Sequence, residues 1–405
     1  VWNAPKWDRY SLVIKDKSGT LLYTFKLPEE NGNAKPDYHA FLPVTDVDST
    51  LLIETDAPYP VEENIYTSDD ILQTSETEEC LHYHAPYGSI NDPNGLIYTN
   101  GTWHMYHQHN PMDNVWGNMS WGHAVSKDLV HFTFVGDELF PDRDGVMFSG
   151  CAIKNDRSLL SLPKDAILYY YTLACDRKDK QTDESVPFFT QRLAYSTDNG
   201  YDLKKYTDFE LENLAPDNRD PKIFWHEESE SYIMSLFLTK NRFVLLRSSD
   251  LKKWEKASEY DFPPMWECPD LLRLPDGKWA FMSADGYYYI GSFDGYSFKK
   301  ETEMLSLYEG GLPYAAQSFS CDNGRLISTA WMRTENRGEN WHGMMGVARE
   351  FETDYANGTP YIRQRFVPEA NPYIKNVSGS AVIEDKYLRE TISPDGRTLN
   401  VEQLW

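Results

Sequence analysis

Short apolar bursts broken by Asn, Gly, Pro and Asp run through most of the chain, and apolar positions at a three-to-four residue interval are scarce. The pattern is that of strands, not helices. Gly95-Leu96-Ile97-Tyr98-Thr99 and Thr102-Trp103-His104-Met105-Tyr106 flank Asn100-Gly101, which predicts a β-hairpin with a tight turn. The same design returns at Pro221-Lys222-Ile223-Phe224-Trp225 with Ser231-Tyr232-Ile233-Met234. It returns again at Leu271-Leu272-Arg273-Leu274 with Trp279-Ala280-Phe281-Met282, where Pro275-Asp276-Gly277 makes the turn. After each hairpin comes a Ser, then an acid or turn, then a closing aromatic: Ser126 to Phe132, Ser248 to Trp254 and, more loosely, Ser196 to Tyr206 and Ser292 to Phe298. These mark the outer edge of a repeating unit.

Imperfect repeats of roughly 40 to 65 residues, each about four strands, predict an all-β fold whose units stack around an axis, a β-propeller. A β-sandwich accounts for the strands but not for three hairpins that open alike. The expected organisation is a small β-rich N-terminal module over residues 1–75, a five-bladed propeller over 76–366 and a strand-like extension over 367–405. In the module, strands are expected at Tyr10–Ile14 and Leu21–Phe25 around Lys17-Ser18-Gly19-Thr20, with Ser68 to Glu79 as a polar linker.

Composition narrows the partners. With 39 Lys and Arg against 63 Asp and Glu, the net charge of −24 repels phosphate backbones and anionic membranes, so no nucleic acid or membrane partner is expected. Aromatics make up 14%, including 12 Trp and 27 Tyr, which suits either sugar-stacking surfaces or an aromatic β core. No apolar run approaches the roughly 20 residues of a membrane span. Val1-Trp2-Asn3 carries no signal-peptide pattern, so a processed or trimmed start is expected. The five Cys lack paired spacing, implying neither a zinc site nor a disulfide framework. Four Asn-X-Ser/Thr tripeptides, at Asn100, Asn118, Asn357 and Asn376, lean toward a secreted or cell-surface location.

The hairpins open with Asn91-Asp92-Pro93-Asn94-Gly95, Asn218-Arg219-Asp220-Pro221 and Trp266-Glu267-Cys268-Pro269-Asp270. Each sets a carboxylate just before a Pro at the expected start of an axial strand, so three acids from three blades would meet at one mouth. For one copy, ordinary turn chemistry explains Asp-Pro; three equivalent copies point to a site. Acids that close separate their pKa values, leaving one ionised and one protonated, the pair that glycoside cleavage needs.

These residues resemble the three signature motifs of glycoside hydrolase family 32, the invertases, levanases and inulinases. Further matches are Tyr106-His107-Gln108-His109-Asn110-Pro111, Trp116-Gly117-Asn118, Trp121-Gly122-His123-Ala124, Phe148-Ser149-Gly150 and Ala348-Arg349-Glu350. The resemblance implies a β-fructofuranosidase of retaining mechanism acting on fructan or sucrose, with Asp92 as nucleophile, Glu267 as acid/base and Asp220 holding fructosyl hydroxyls. It also implies substrate contacts from Asn91, Gln108, Ser149, Arg219 and Tyr314, apolar walls from Trp116, Phe148 and Trp331, and no metal or cofactor. Asp rather than Glu at position 92 leans toward cleavage from the chain end. Fructosyl transfer and sugar binding without turnover are the competing readings. His104, His107 and His109 are expected to supply surface and pocket polarity, and Cys268 to tune the acid beside it. Departures from the family pattern are Ser89-Ile90 ahead of the first motif, Pro313-Tyr314-Ala315 and Cys151 after Phe148-Ser149-Gly150; they bear on substrate preference.

Overall fold

The computed structural model describes residues 10–27, 40–44, 50–58, 61, 65, 80–178 and 184–405. It is an all-β structure, and one six-residue 3-10 turn, Pro368–Tyr373, is the only helical element among the described residues. The linker expected at Ser68 to Glu79 lies outside them.

Strands β1 (Tyr10–Asp16), β2 (Leu21–Leu27) and β3 (Leu51–Thr55) form an N-terminal sheet in the order β2-β1-β3. Five antiparallel meanders follow. Sheet I holds β4 (Gly88–Thr99), β5 (Thr102–Asn110), β6 (Ser120–Ser126) and β7 (Thr133–Asp137); sheet II holds β8 (Val146–Lys154), β9 (Ile167–Lys178), β10 (Ser185–Ser196) and β11 (Lys204–Lys205). Sheet III holds β12 (Arg219–His226), β13 (Ser231–Thr239), β14 (Arg242–Ser248) and β15 (Glu255–Asp261). Sheet IV holds β16 (Asp270–Arg273), β17 (Trp279–Met282), β18 (Tyr287–Phe293) and β19 (Phe298–Lys300), with β20 (Leu305–Ser306) added to β18. After β21 (Tyr308–Glu309), sheet V holds β22 (Pro313–Ser318), β23 (Ile327–Met332), β26 (Arg349–Ala356) and β27 (Thr359–Phe366). Between β23 and β26, β24 (Trp341–His342) runs parallel to β4 and β25 (Met344–Met345) pairs with β23.

Alternation explains why these strands are apolar on both sides. In β13, Tyr232, Met234, Leu236 and Leu238 pack with Leu168 and Tyr170 of sheet II, while Ile233 and Phe237 pack with Leu271 and Phe281 of sheet IV. Tyr106 and Trp121 of sheet I likewise share a cluster with Tyr169 and Tyr171 of sheet II. Successive sheets therefore stack face to face. Sheet V returns to sheet I through Ser320, whose N–H donates to Leu96 O and whose carbonyl accepts from Tyr98 N, both at 2.9 Å.

The repeated Ser–acid segments are the turns from third to fourth strand. Asp128 Oδ1 accepts from the N–H groups of Val130 and His131, Asp250 Oδ1 from Lys252 and Lys253, Asp198 Oδ1 from Tyr201 and Asp202, and Asp294 Oδ1 from Tyr296 and Ser297.

The N-terminal sheet docks beside sheet I. Phe140 enters its cluster of Leu12, Ile14, Phe25 and Leu27 and meets Tyr23 edge-on at 5.1 Å. Asn118 accepts from Lys26 N at 2.7 Å and donates to Lys26 O at 2.8 Å, as a strand neighbour would. Asn118 is 6% exposed, which takes its tripeptide out of consideration for glycosylation.

Beyond residue 366 the sequence pattern suggests two strand-like pieces; the structure has four, β28 (Lys375–Val377), β29 (Ser380–Glu384), β30 (Leu388–Ile392) and β31 (Leu399–Gln403), in one sheet with β21. Ile383, Leu388, Ile392 and Leu399 join the large cluster under sheets I, IV and V. Within that contact the buried His82 ring lies 2.7 Å from Asp385 and 3.2 Å from Glu390. Burial alone would lower the His82 pKa, but donation to Asp385 and the Glu390 carboxylate beside the ring push it up to about 9.

Candidate active site

The three carboxylates meet, but not by the expected local geometry. Asp92 does not open its strand: it is the fifth residue of β4, inside a β-bulge between Ile90 and Pro93. Bulges recur between Met147 and Gly150 of β8, Arg219 and Lys222 of β12, and Tyr314 and Gln317 of β22. A bulge breaks the two-residue alternation and turns a side chain off the sheet face, here into the space the first strands share. In sheet IV, Glu267 and Cys268 stand just before β16, both at positive φ. Asp220, Glu267, Cys268 and Ala315 all take φ between +39° and +64°, each costing on the order of 1 kcal/mol, so backbone strain gathers at one level of the molecule.

Asp92 Oδ2 accepts from Ser149 Oγ at 2.7 Å and Asp92 Oδ1 from Asn91 Nδ2 at 3.1 Å. Glu267 Oε1 accepts from Arg219 Nη2 at 2.6 Å and Nε at 3.0 Å, and Glu267 Oε2 from the Tyr314 hydroxyl at 2.5 Å. Asp220 Oδ2 accepts from Cys268 N at 3.2 Å, while Asp220 N donates to Thr172 Oγ1 at 3.0 Å. Cys268 Sγ stands between two acids, 3.6 Å from Asp220 Oδ2 and 3.9 Å from Asp92 Oδ2, which fits the expectation that it tunes the carboxylates. Its own pKa is driven far up by burial and the surrounding acids, so it is a neutral thiol.

Burial, then the Glu267 charge, raises the Asp92 pKa, against hydrogen bonds from Ser149 and Asn91. Burial also pushes Asp220 up to about 7; the charges of Glu267 and Asp92 add to this and Arg219 opposes it. Asp220 is thus a carboxyl that keeps its proton to neutral pH, able to donate as well as accept.

The other sequence-predicted residues fall into three groups. Asn91, Ser149, Arg219 and Tyr314 touch the acids directly, as above. Trp116 and Phe148 form a wall, their ring centres 5.9 Å apart, backed by Phe189; Trp331 stands edge-on to Tyr314 at 6.4 Å. Gly343, at φ +81°, lies under this wall, where an added Cβ would sit 2.2 Å from Ile90 O and 3.0 Å from Trp331 Nε1. Gln108 is 2% exposed and lies behind the acids. With the Asn94 amide oriented to satisfy its neighbours, Asn94 Oδ1 accepts from Gln108 Nε2 at 2.9 Å and its nitrogen donates to Ser149 Oγ at 3.3 Å, so Gln108 supports the Asp92 side of the site from within.

The histidines need a correction. His104, His107 and His109 are not surface or pocket groups; all three are fully buried in sheet I. Burial drives His104 down to about 4 and His107 to about 3, so both are neutral, and His104 Nδ1 sits 3.0 Å from His123 Nε2. Strand β5 is covered on both faces, which alternation alone does not reveal.

Several residues of the site have no sequence signal assigned to them. Asn94 stands inside the first motif, yet only the fold shows its link to Gln108 and Ser149. Thr172 comes from an unmarked strand, and Gln317 follows the marked Tyr314 on β22 without a signal of its own. Asp285, which burial and then the Glu267 charge push up to about 6 against Arg333, faces the acid from the β17–β18 loop. A cavity of about 770 Å³ opens at the far ends of the same first strands, between Lys154, Trp225, Arg273 and Asp322, away from the carboxylates.

Comparison with known proteins shows the family. Residues 82–364 match the glycosyl hydrolases family 32 N-terminal domain. The chain is 35% identical over 283 residues to the levanase of Bacillus subtilis, covering 62% of this chain and 40% of the levanase. It is 29% identical over 330 residues to an extracellular exo-inulinase of Meyerozyma guilliermondii, covering 72% of this chain and 62% of that protein. It thus spans less than two thirds of either relative. A fructofuranosidase from Schwanniomyces occidentalis, solved in complex with fructosylnystose, superposes with a TM-score of 0.65 at 26% identity over 79% of this chain and 68% of that one. No described helix is long and apolar enough to cross a membrane. By its motifs, its carboxylate geometry and these matches, the chain belongs to glycosyl hydrolase family 32.

Proposed function

We propose that this protein is a retaining β-fructofuranosidase that removes terminal fructose from fructan or sucrose, built on a five-bladed propeller over residues 76–366 with the N-terminal module packed on its side. The observation that carries the reading is the convergence of Asp92, Asp220 and Glu267, linked through Cys268 and Arg219, on one cluster of hydrogen bonds.

In this mechanism the Asp92 carboxylate attacks the anomeric carbon of the terminal fructosyl unit. Glu267 gives its proton to the glycosidic oxygen as that bond breaks, and the shortened sugar departs. Water then enters, loses a proton to Glu267 and attacks the same carbon, breaking the bond to Asp92 and releasing fructose with its configuration retained. Ser149 and Asn91 hold Asp92 in line. Arg219 and Tyr314 aim Glu267, and protonated Asp220 donates to a fructosyl hydroxyl. A secreted or cell-surface setting suits both the polymeric substrate and the exposed tripeptides at Asn357 and Asn376.

Incubation with sucrose, inulin and levan, with products separated by chromatography, tests this. Free fructose as the sole early product is expected. A ladder of oligosaccharides at low conversion overturns cleavage from the chain end, and no release from any of the three overturns the activity.

A further inference from the structure

Four of the five first strands carry site residues at bulges, and the fifth is preceded by Glu267 and Cys268; at these points the ladder of backbone hydrogen bonds is interrupted, so something else must fix the spacing between strands. Two adjacent residues of β22 reach all four of the other strands. Gln317 Nε2 donates to Pro93 O at 3.2 Å and to Gly150 O at 3.1 Å. Those carbonyls belong to the residues directly after Asp92 and Ser149. Ser318 N donates to Asp270 Oδ2 at 2.9 Å, and Ser318 O accepts from Lys222 Nζ at 2.5 Å. Lys222 lies two residues after Asp220, and Asp270 three after Glu267. The Lys222 and Asp270 side chains are only 8% and 3% exposed and stand 3.7 Å apart, a buried opposite-charge pair clasping the backbone of one residue, Ser318, at its N–H and at its carbonyl.

We propose that Gln317 and Ser318 form a positioning hub, in which Gln317 sets where Asp92 and Ser149 stand relative to Asp220 and Glu267. The inference rests on the β-fructofuranosidase reading, because those are the groups it positions. The division is specific. The strands of the nucleophile and its Ser hang on Gln317, while those of Asp220 and Glu267 hang on Ser318, so the separation across the scissile bond is measured at one dipeptide. A role in ring closure alone is served by the apolar contacts of sheets V and I and by Ser320, and does not require a donor aimed at the residue after each bulge. A loosened hub lets the carboxylates spread, which weakens their mutual repulsion and lets the raised Asp92 and Asp220 pKa values relax downward.

The test replaces Gln317 by Met, which keeps length and removes both donated hydrogen bonds. With sucrose, kcat is expected to fall about tenfold or more with little change in KM, since small misplacements of reacting groups cost rate. The acid limb of the pH–rate profile is expected to move to lower pH. Independently of activity, Cys268, lodged between Asp92 and Asp220, is expected to react faster with iodoacetamide in the variant, followed by peptide mass spectrometry. Unchanged kcat, acid limb and Cys268 reactivity overturn the hub. If Gln317→Met fails to fold, Gln317→Asn, which keeps the amide but reaches one carbonyl at most, is read the same way, with the same outcomes deciding. If the unaltered protein releases no fructose, the functional reading fails while the Cys268 rate still reports on the hub.

Discussion

Replacing Asp220 by Asn exposes how much stability the site gives up for its charge arrangement. The folded Asp220 carboxyl keeps its proton from the ordinary 3.8 up to about 7, so between those values the native state binds a proton that the unfolded chain has lost. Stability from this group is complete below pH 3.8 and drains away as pH rises through 7. At roughly 1.4 kcal/mol per pH unit, the loss is on the order of 4 kcal/mol by the top of the window. Asn has the same shape, keeps an oxygen for the Cys268 N–H and does not titrate. Thermal unfolding of both proteins at matched scan rate, from pH 4.5 to 8.5, measures the difference. The variant's advantage is expected to grow with pH and level off above neutrality, reaching ~8 °C at about 2 °C per kcal/mol. Any pH-independent change from the new amide shifts the whole curve without altering its slope. An advantage that is flat or shrinks with rising pH refutes the argument. Sucrose turnover is expected to collapse in the same variant, so the stabilisation and the loss of function share one residue.

Three further outcomes follow from other contacts. Glu267→Gln is expected to slow sucrose hydrolysis by roughly 10³-fold or more while leaving the fold intact by circular dichroism; near-normal turnover puts the acid/base elsewhere. His82→Gln leaves Asp385 and Glu390 buried without their cation and is expected to destabilise by about 3 to 5 kcal/mol; in the unaltered protein, stability from this cluster is complete below the ordinary His pKa of 6.5 and is lost as pH rises through about 9, which denaturant titrations at pH 6 and 9.5 compare. Asn118→Ala removes both bonds to the Lys26 backbone and is expected to cost about 1 to 2 kcal/mol and to speed proteolytic release of the N-terminal sheet, with the pH–rate profile unchanged.

Much of this molecule is legible in its sequence because alternation and turn chemistry are local. Asn100-Gly101 sits between β4 and β5, and the Asp side chains at 128, 198, 250 and 294 cap turns at the same step of four sheets, as the repeated Ser–acid segments suggest. The three motif acids come together as expected. What was hidden is whatever depends on two strands at once. Asp92-Pro93 reads as a strand start, since nothing in Asn91-Asp92-Pro93-Asn94 announces that the strand already runs from Gly88 through a bulge. His104, His107 and His109 read as surface and pocket polarity because what covers the faces of β5 comes from elsewhere in the chain, Tyr201 against His104, Tyr83 against His107 and Tyr87 against His109. Gln108 reads as a substrate contact by its motif position, whereas its amide is spent on Asn94. Lys222 and Asp270 carry opposite charges 48 residues apart, and only the fold makes them partners.

The return of sheet V onto sheet I also has a bearing on biosynthesis. Chain emerging through residue 312 already contains Asp92, Asp220 and Glu267, yet it lacks Tyr314 on the acid, Gln317 beneath Pro93 and Gly150, and the β24 strand beside Gly88 and Ser89. Those partners lie more than 200 residues downstream of Asp92 in the order of synthesis. The pocket is consequently a late product of translation, assembled by contacts of high sequence separation that form slowly. On the β-fructofuranosidase reading, a nascent chain that carries every reactive carboxylate but not these partners is expected to lack catalytic competence. The onset of activity during synthesis is therefore a clock for the moment at which sheet V meets sheet I.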